Sequence, residues 1–201
     1  MDLFSIVGLV SAHVNWPKEE LRWPVFIHIG NGAEEILKDG VIALYLKGPV
    51  VKTLGIMLDA DTKPKGRYQS IRHRCVQFFP KMPPDLPSDG LVIENDKQQR
   101  LGVWIMPDNA SDGGLETFLK HLVPDPKGAT WKHAEESVST ARKLGCSCAD
   151  CHIEKANLYT WLAWQEPPGQ SPGVSLTKKI LDPQSTSAAT FVAWFKRLYQ
   201  L

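Results

Sequence analysis

The run Thr53-Leu-Gly-Ile-Met-Leu-Asp-Ala-Asp61 passes from unbroken apolar residues to two carboxylates. Leu54 to Leu58 reads as a buried strand, bounded by Lys52 before it and by the turn-forming Thr62-Lys-Pro-Lys-Gly66 after it. Side chains alternate along a strand, so residues two apart share a face. Asp59 and Asp61 are therefore expected to point the same way from the C-terminal end of a strand, the edge at which open α/β sheets place their ligands. Two like charges side by side repel, and a divalent cation relieves the repulsion. Mg²⁺ or Mn²⁺ prefers oxygen ligands of this kind. The plainer reading is a pair of solvated turn residues.

Strand and helix patterns alternate along the rest of the chain. Residues 2–12 read as a short helix. Pro17 and Pro24 punctuate a polar link, and Trp23-Pro-Val-Phe-Ile-His-Ile29 reads as a buried strand. Gly30-Asn-Gly32 reads as a turn. Ala33 to about Leu46 reads as a helix whose apolar face is Ile36, Leu37, Ile42, Ala43 and Leu46. Tyr68 to about Phe78 is expected to be helical, with Arg67, Arg72 and Arg74, followed by a proline-rich loop over Pro80 to Pro87. Leu91 to Glu94 and Leu101 to Met106 form a β-hairpin pattern. Further helices are expected over Gly114 to Val123, Ala129 to Leu144, Lys155 to Gln165 and Ser187 to Leu201, with Gln170 to Gly173 as loop. This order predicts an α/β fold with a mostly parallel central sheet and helices on both faces. The strands ending at Ile29 and Leu58 should be neighbours in it. With 201 residues and 43% hydrophobic content, a single domain over 1–201 with a C-terminal helical extension is the natural expectation.

The formal net charge of +1 neither requires nor excludes a polyanionic partner. No apolar stretch reaches membrane length. The start, Met1-Asp-Leu-Phe-Ser-Ile-Val-Gly-Leu-Val-Ser11, lacks a basic n-region and a cleavage site, so a cytoplasmic location is expected. Of the four cysteines, Cys146, Cys148 and Cys151 crowd one segment. Cys148-Ala-Asp-Cys-His152 matches the c-type haem attachment pattern, but that chemistry requires export. The three thiolates with His152 are a chemically allowed zinc set. Reduced thiols in a loop are the favoured reading.

A second acidic cluster is Pro107-Asp-Asn-Ala-Ser-Asp-Gly-Gly-Leu-Glu-Thr-Phe118. Asp108 terminates an apolar strand, Asp112 and the two glycines form a turn, and Glu116 opens a helix. Each has a structural explanation: a turn-starting Asp-Asn pair for Asp108, the helix dipole for Glu116. If the two strands are neighbours, both end in carboxylates at one edge, an arrangement that can hold two cations. Lys155 is a cation able to neutralise a developing phosphate charge, or else a solvated lysine at a helix end.

Leu54-Gly-Ile-Met-Leu-Asp-Ala-Asp61, Arg67-Tyr-Gln-Ser-Ile71, Gly102-Val-Trp-Ile-Met-Pro-Asp-Asn109, Gly114-Leu-Glu116 and Lys155-Ala-Asn-Leu-Tyr-Thr-Trp-Leu-Ala-Trp-Gln165 together resemble a bacterial and archaeal domain family of unknown function classed with the Toprim fold. The resemblance runs from about Phe26 to the C-terminus. It implies a Toprim-like sheet and nuclease-like phosphodiester chemistry on DNA or RNA, in genome defence. Asp59 and Asp61 match the D-x-D of such sites. Asp108 and Glu116 resemble the further acidic motif of the OLD-type nucleases, and Lys155 resembles their basic residue. The metal ligands implied are Asp59, Asp61, Asp108 and Glu116, holding Mg²⁺ or Mn²⁺. Asp59, Asp61 and Lys155 would be catalytic, with Arg67 on the phosphate. Toprim domains open with a strand that ends in a glutamate. This chain reads as starting at the helix after it, so the expected sheet lacks that strand and the site one ligand. The alternative implied is a non-catalytic Toprim-fold subunit, beside an ATPase or as a homodimer.

Overall fold

An apolar strand covered on both faces needs helices above and below it. The computed structural model, which describes residues 3–30, 32–48 and 50–201, supplies them. In chain order the elements are α1 (Leu3–Ser11), α2 (Ala33–Ile36), α3 (Val41–Lys47), β1 (Thr53–Asp59), α4 (Pro64–Cys75), β2 (Leu91–Glu94), β3 (Arg100–Met106), α5 (Leu115–Lys120), α6 (Ala129–Lys143), α7 (Ile153–Leu162), α8 (Pro172–Thr177) and α9 (Thr186–Tyr199). They divide into two compact units. The first comprises Trp16–Leu115 and Ala189–Leu201; the second comprises residues 3–15 and Glu116–Ala188.

The first unit is a three-stranded mixed sheet of order β1-β3-β2. β1 runs parallel to β3 and β2 antiparallel to it. β3 is buried from Leu101 to Met106 because both its faces are covered. Leu101, Val103 and Ile105 join Ile56 and Leu58 in a core that takes in Tyr68, Ile71 and Cys75 of α4. On the opposite face Trp104 packs edge-on against Phe191 of α9, ring centroids 5.3 Å apart, and against Trp194 at 5.5 Å. Glycines let α9 lie close to the sheet. A Cβ at Gly102 would run into the Leu198 side chain, and one at Gly55 into the Tyr199 hydroxyl.

The expected strand at Trp23–Ile29 is absent. Val25 is buried, but Phe26 is 89% and Ile29 50% exposed. Pro24 removes a ladder donor inside the segment, and its apolar residues find no shared face. The neighbour of β1 is accordingly β3 and not a strand ending at Ile29. The turn expected at Gly30-Asn-Gly32 lies partly outside the described residues. The helix expected from Ala33 to Leu46 is two helices. Gly40, at φ +85°, sits in the left-handed region and breaks it, yet Leu37, Ile42 and Leu46 still reach the core. The Pro80–Pro87 loop is fastened to α4: the Pro83 carbonyl accepts Tyr68 Oη at 2.7 Å and Arg72 Nε at 3.1 Å.

The second unit is helical. α1 crosses α8 where Gly8 meets Gly173; a Cβ on Gly8 would lie 2.7 Å from the Gly173 carbonyl oxygen. α6 packs on α7 through Trp131 and Trp161. α8 begins where a loop was expected. The side chain of Ser171 caps it by accepting the Val174 N–H, and Pro172 starts its first turn. Among the described residues no helix is long and apolar enough to cross a membrane.

Candidate functional site: the acidic edge of the sheet

The parallel pairing of β1 with β3 sets Asp59 opposite Met106. Both strands therefore finish at the same edge, and the next residues of each carry carboxylates: Asp61 after β1, Asp108 after β3. The two strand ends are tied together. Ala60 N–H donates to Met106 O at 3.1 Å, and Asp61 and Gly113 exchange two backbone hydrogen bonds, at 2.9 and 2.7 Å.

Asp59, Asp61 and Asp108 are each engaged. Asp59 Oδ1 accepts the Leu115 N–H at 3.0 Å, so it caps the start of α5 from outside the helix. Gly114 leaves it room: a Cβ there would lie 2.9 Å from the Asp59 carboxyl carbon. Asp61 pairs with Arg67, one turn into α4. Asp108 Oδ1 accepts from Ala110 N at 3.1 Å and from Ser111 N at 2.7 Å, and Ser111 Oγ donates to its Oδ2 at 2.8 Å. Strand alternation does not carry from Asp59 to Asp61. β1 stops at Asp59, and Asp61 has φ +54°. The expectation that the two side chains share a strand face therefore rested on a regular backbone that ends two residues too early.

Asn109 is the part of this edge that the motifs did not single out. It too is left-handed, at φ +69°. Its side chain is buried and closes the turn. Oδ1 accepts Ile105 N–H at 2.8 Å, and Nδ2 donates to Ser88 O at 3.1 Å. The Asp-Asn pair was its sequence signal, since Asn and Asp tolerate the left-handed region.

A family model described as a protein of unknown function, DUF3226, matches residues 1–200. The chain belongs to the DUF3226 family. No curated protein and no solved structure matches it.

In this DUF3226 chain the remaining expected site residues lie in the second unit. Glu116 falls in the first turn of α5, where the helix dipole favours it. Lys155 is exposed on α7, its Nζ 5.9 Å from the centroid of the Tyr159 ring. It lines a hollow of about 320 Å³ with Cys148, His152, Ala156 and Tyr159. The first unit thus places Asp59, Asp61 and Asp108 at the ends of two paired strands and pairs Asp61 with Arg67. The carboxylate donors are hard oxygens, suited to Mg²⁺ or Mn²⁺. Among the described residues no three His, Cys, Asp or Glu side chains form a group that could hold a metal ion.

Proposed function

We propose that the DUF3226 chain is a Toprim-like protein whose acidic edge takes a divalent cation and acts on nucleic-acid phosphodiesters, with weak activity. The observation that carries this reading is the register of β1 and β3. It ends two strands at one edge, with Asp59 closing β1, Asp61 two residues beyond it and Asp108 two residues beyond β3, and Arg67 is paired with Asp61. Mg²⁺ keeps several waters and needs only one or two protein carboxylates beside substrate phosphate. Asp59 and Asp61 are the residues that would hold it, with Asp108 as a further acidic group. When bound, such an ion neutralises phosphate charge and stabilises the leaving oxygen. Arg67 contributes a guanidinium suited to a phosphate oxygen once released from Asp61.

The second reading, a non-catalytic module, is favoured by the structural employment of the three carboxylates Asp59, Asp61 and Asp108. Asp59 caps Leu115, Asp61 pairs with Arg67 and Asp108 closes a turn. Its partners would be an ATPase subunit or a second copy.

Two measurements separate the readings. Calorimetric titration with Mn²⁺ should give a weak, saturable heat in the wild type that Asp59→Asn/Asp61→Asn loses. Supercoiled plasmid incubated with Mn²⁺ should be nicked slowly, and neither EDTA-treated protein nor Asp59→Asn should nick it. Identical heats from both proteins, with no EDTA-sensitive nicking, would leave the module reading in possession.

A further inference from the structure

Three of the four thiols stand within six residues on the link between α6 and α7. Cys146 and Cys151 are exposed and Cys148 is half-buried; Cys75 is apart, in the core. The link is fixed at both ends. Gly145, at φ +91°, turns the chain off α6, and the Gly145 and Cys146 amides return to Arg142 O and Ala141 O, each at 3.0 Å. Arg142 also pairs with Asp150. A single 3-10 turn, Asp150–His152, then leads into α7, with His152 N–H donating to Ala149 O at 2.9 Å. Cys151 lies inside that turn. Cys148 precedes it, its Sγ 3.6 Å from Ala149 O, and forms one wall of the hollow of about 320 Å³ shared with His152, Lys155, Ala156 and Tyr159.

We propose that Cys148 and Cys151 are a redox-active dithiol that exchanges with small anionic disulfides of the glutathione type, seated in the hollow beside Lys155 and His152. Four observations meet here. Cys148 lines an open surface hollow that leaves it accessible to the reacting end of such a molecule. Lys155 supplies the positive charge that its carboxylates require. Cys151 is solvent-accessible and three residues away across a turn, a separation that can bring Cα atoms within the about 4.4–6.8 Å a disulfide needs. Cys146 is tied by its amide to the end of α6 and is only two residues from Cys148, too close in sequence for an unstrained ring.

The chemistry balances without a further reagent. Cys148 thiolate attacks one sulfur of R–S–S–R, forming a Cys148–S–S–R mixed disulfide and releasing R–S⁻, which takes up the proton that Cys148 gave to solvent. Cys151 thiolate then attacks Cys148 sulfur and expels the second R–SH. The two protein thiols lose two electrons and two protons, and the small disulfide becomes two thiols.

The test uses the full chain, reduced, stripped of reductant under anaerobic conditions and equilibrated with graded mixtures of oxidised and reduced glutathione. Remaining thiols are alkylated and mapped by mass spectrometry. Trypsin releases residues 144–155 as one peptide holding all three cysteines, and cleavage before Asp150 then parts Cys148 from Cys151. The wild type should lose two thiols, with the two fragments held together by a disulfide. Cys146→Ser should behave the same way. Cys151→Ser should stop at glutathione on Cys148, and Cys148→Ser should form no internal bond. Lys155→Ala should slow the first step at least several-fold with oxidised glutathione and leave the neutral hydroxyethyl disulfide unaffected. Glutathione spread singly over all three thiols would overturn the proposal. So would an internal bond that survives Cys148→Ser, or protection of the thiols by one equivalent of added Zn²⁺ with no exchange in its absence.

Discussion

Asp59 has a structural role in the fold and a proposed role as a cation ligand, and a single atom change can part the two. Its Oδ1 takes the Leu115 N–H at 3.0 Å, a bond to an otherwise orphaned amide at a helix start. Asparagine keeps a carbonyl oxygen for that bond and loses the charge. Asp59→Ala should therefore cost about 1 kcal/mol of stability, in line with the loss of a cap, while Asp59→Asn should cost a few tenths at most. Urea unfolding gives the stability, and the Mn²⁺ titration gives the charge-dependent part. If Asp59→Asn loses as much stability as alanine, the carboxylate's charge is structural and the cation reading weakens with it. Gly114 is the companion position. Its Cβ would stand 2.9 Å from the Asp59 carboxyl carbon and 3.0 Å from Oδ1. Gly114→Ala should displace Asp59 and cost about 1–3 kcal/mol, as overpacking does. The displacement should appear as a changed Leu115 amide resonance. An unchanged amide would mean that Asp59 is not held where it stands.

Among the elements, α9 against the sheet is the contact most open to measurement. Gly102 and Gly55 are strand residues with no side chain on the α9 face, and Leu198 and Tyr199 fill the space. Gly102→Ala should destabilise by about 1–3 kcal/mol. Leu198→Ala alone should cost about 2–5 kcal/mol through the cavity it leaves. The pair should cost less than the sum by about 0.5–3 kcal/mol, since the added methyl occupies the vacated volume. Strict additivity in this cycle would show that the two residues do not meet. The same elements show what could be read from sequence. β1, the hairpin of β2 and β3, α6 and the run of α9 are written as local periodicities and were legible. The parallel pairing of β1 with β3 spans a helix, a proline-rich loop and β2, so neither a local periodicity nor the tendency of consecutive strands to neighbour one another pointed to it. Trp23–Ile29 failed because an apolar run becomes a strand only when a ladder partner exists, and Pro24 has no N–H to offer one. At the site, the carboxylates were legible as strand-terminal residues. Their engagements were not, because Leu115 and Arg67 reach Asp59 and Asp61 through folding and not through spacing.

At the scale of the whole molecule, the two units answer to pH in opposite directions. Cys75, Tyr68 and Tyr199 all lie in the first unit. Burial pushes the Cys75 thiol up from 9.0 to about 12, and it pushes Tyr199 up from 10.0 to about 12 against the opposing Gly55 backbone hydrogen bond. Tyr68 is raised as well, again chiefly by burial. The folded unit keeps these protons when the unfolded chain has lost them. Its stability is therefore full below the unfolded values and falls as pH rises from about 9 toward 12. The second unit holds Glu135. Burial pushes its carboxyl up, but hydrogen bonds from Lys120 at 2.8 Å and Trp131 at 2.7 Å, with the charge of Lys120, outweigh burial and hold it below the ordinary 4.5. That contribution is complete above the unfolded value and is lost as pH falls through the folded one. Urea midpoints followed by circular dichroism and tryptophan fluorescence, from about pH 3 to about pH 11, should show both limbs. Cys75→Ala should flatten the slope that begins near pH 9, and Tyr199→Phe the slope above pH 10, each leaving the acid limb in place. Glu135→Gln should flatten the acid limb and leave the alkaline one. An alkaline limb that persists unchanged in Cys75→Ala/Tyr199→Phe would mean that the first unit does not shelter these protons, and that α4 and α9 are not packed on the sheet as described.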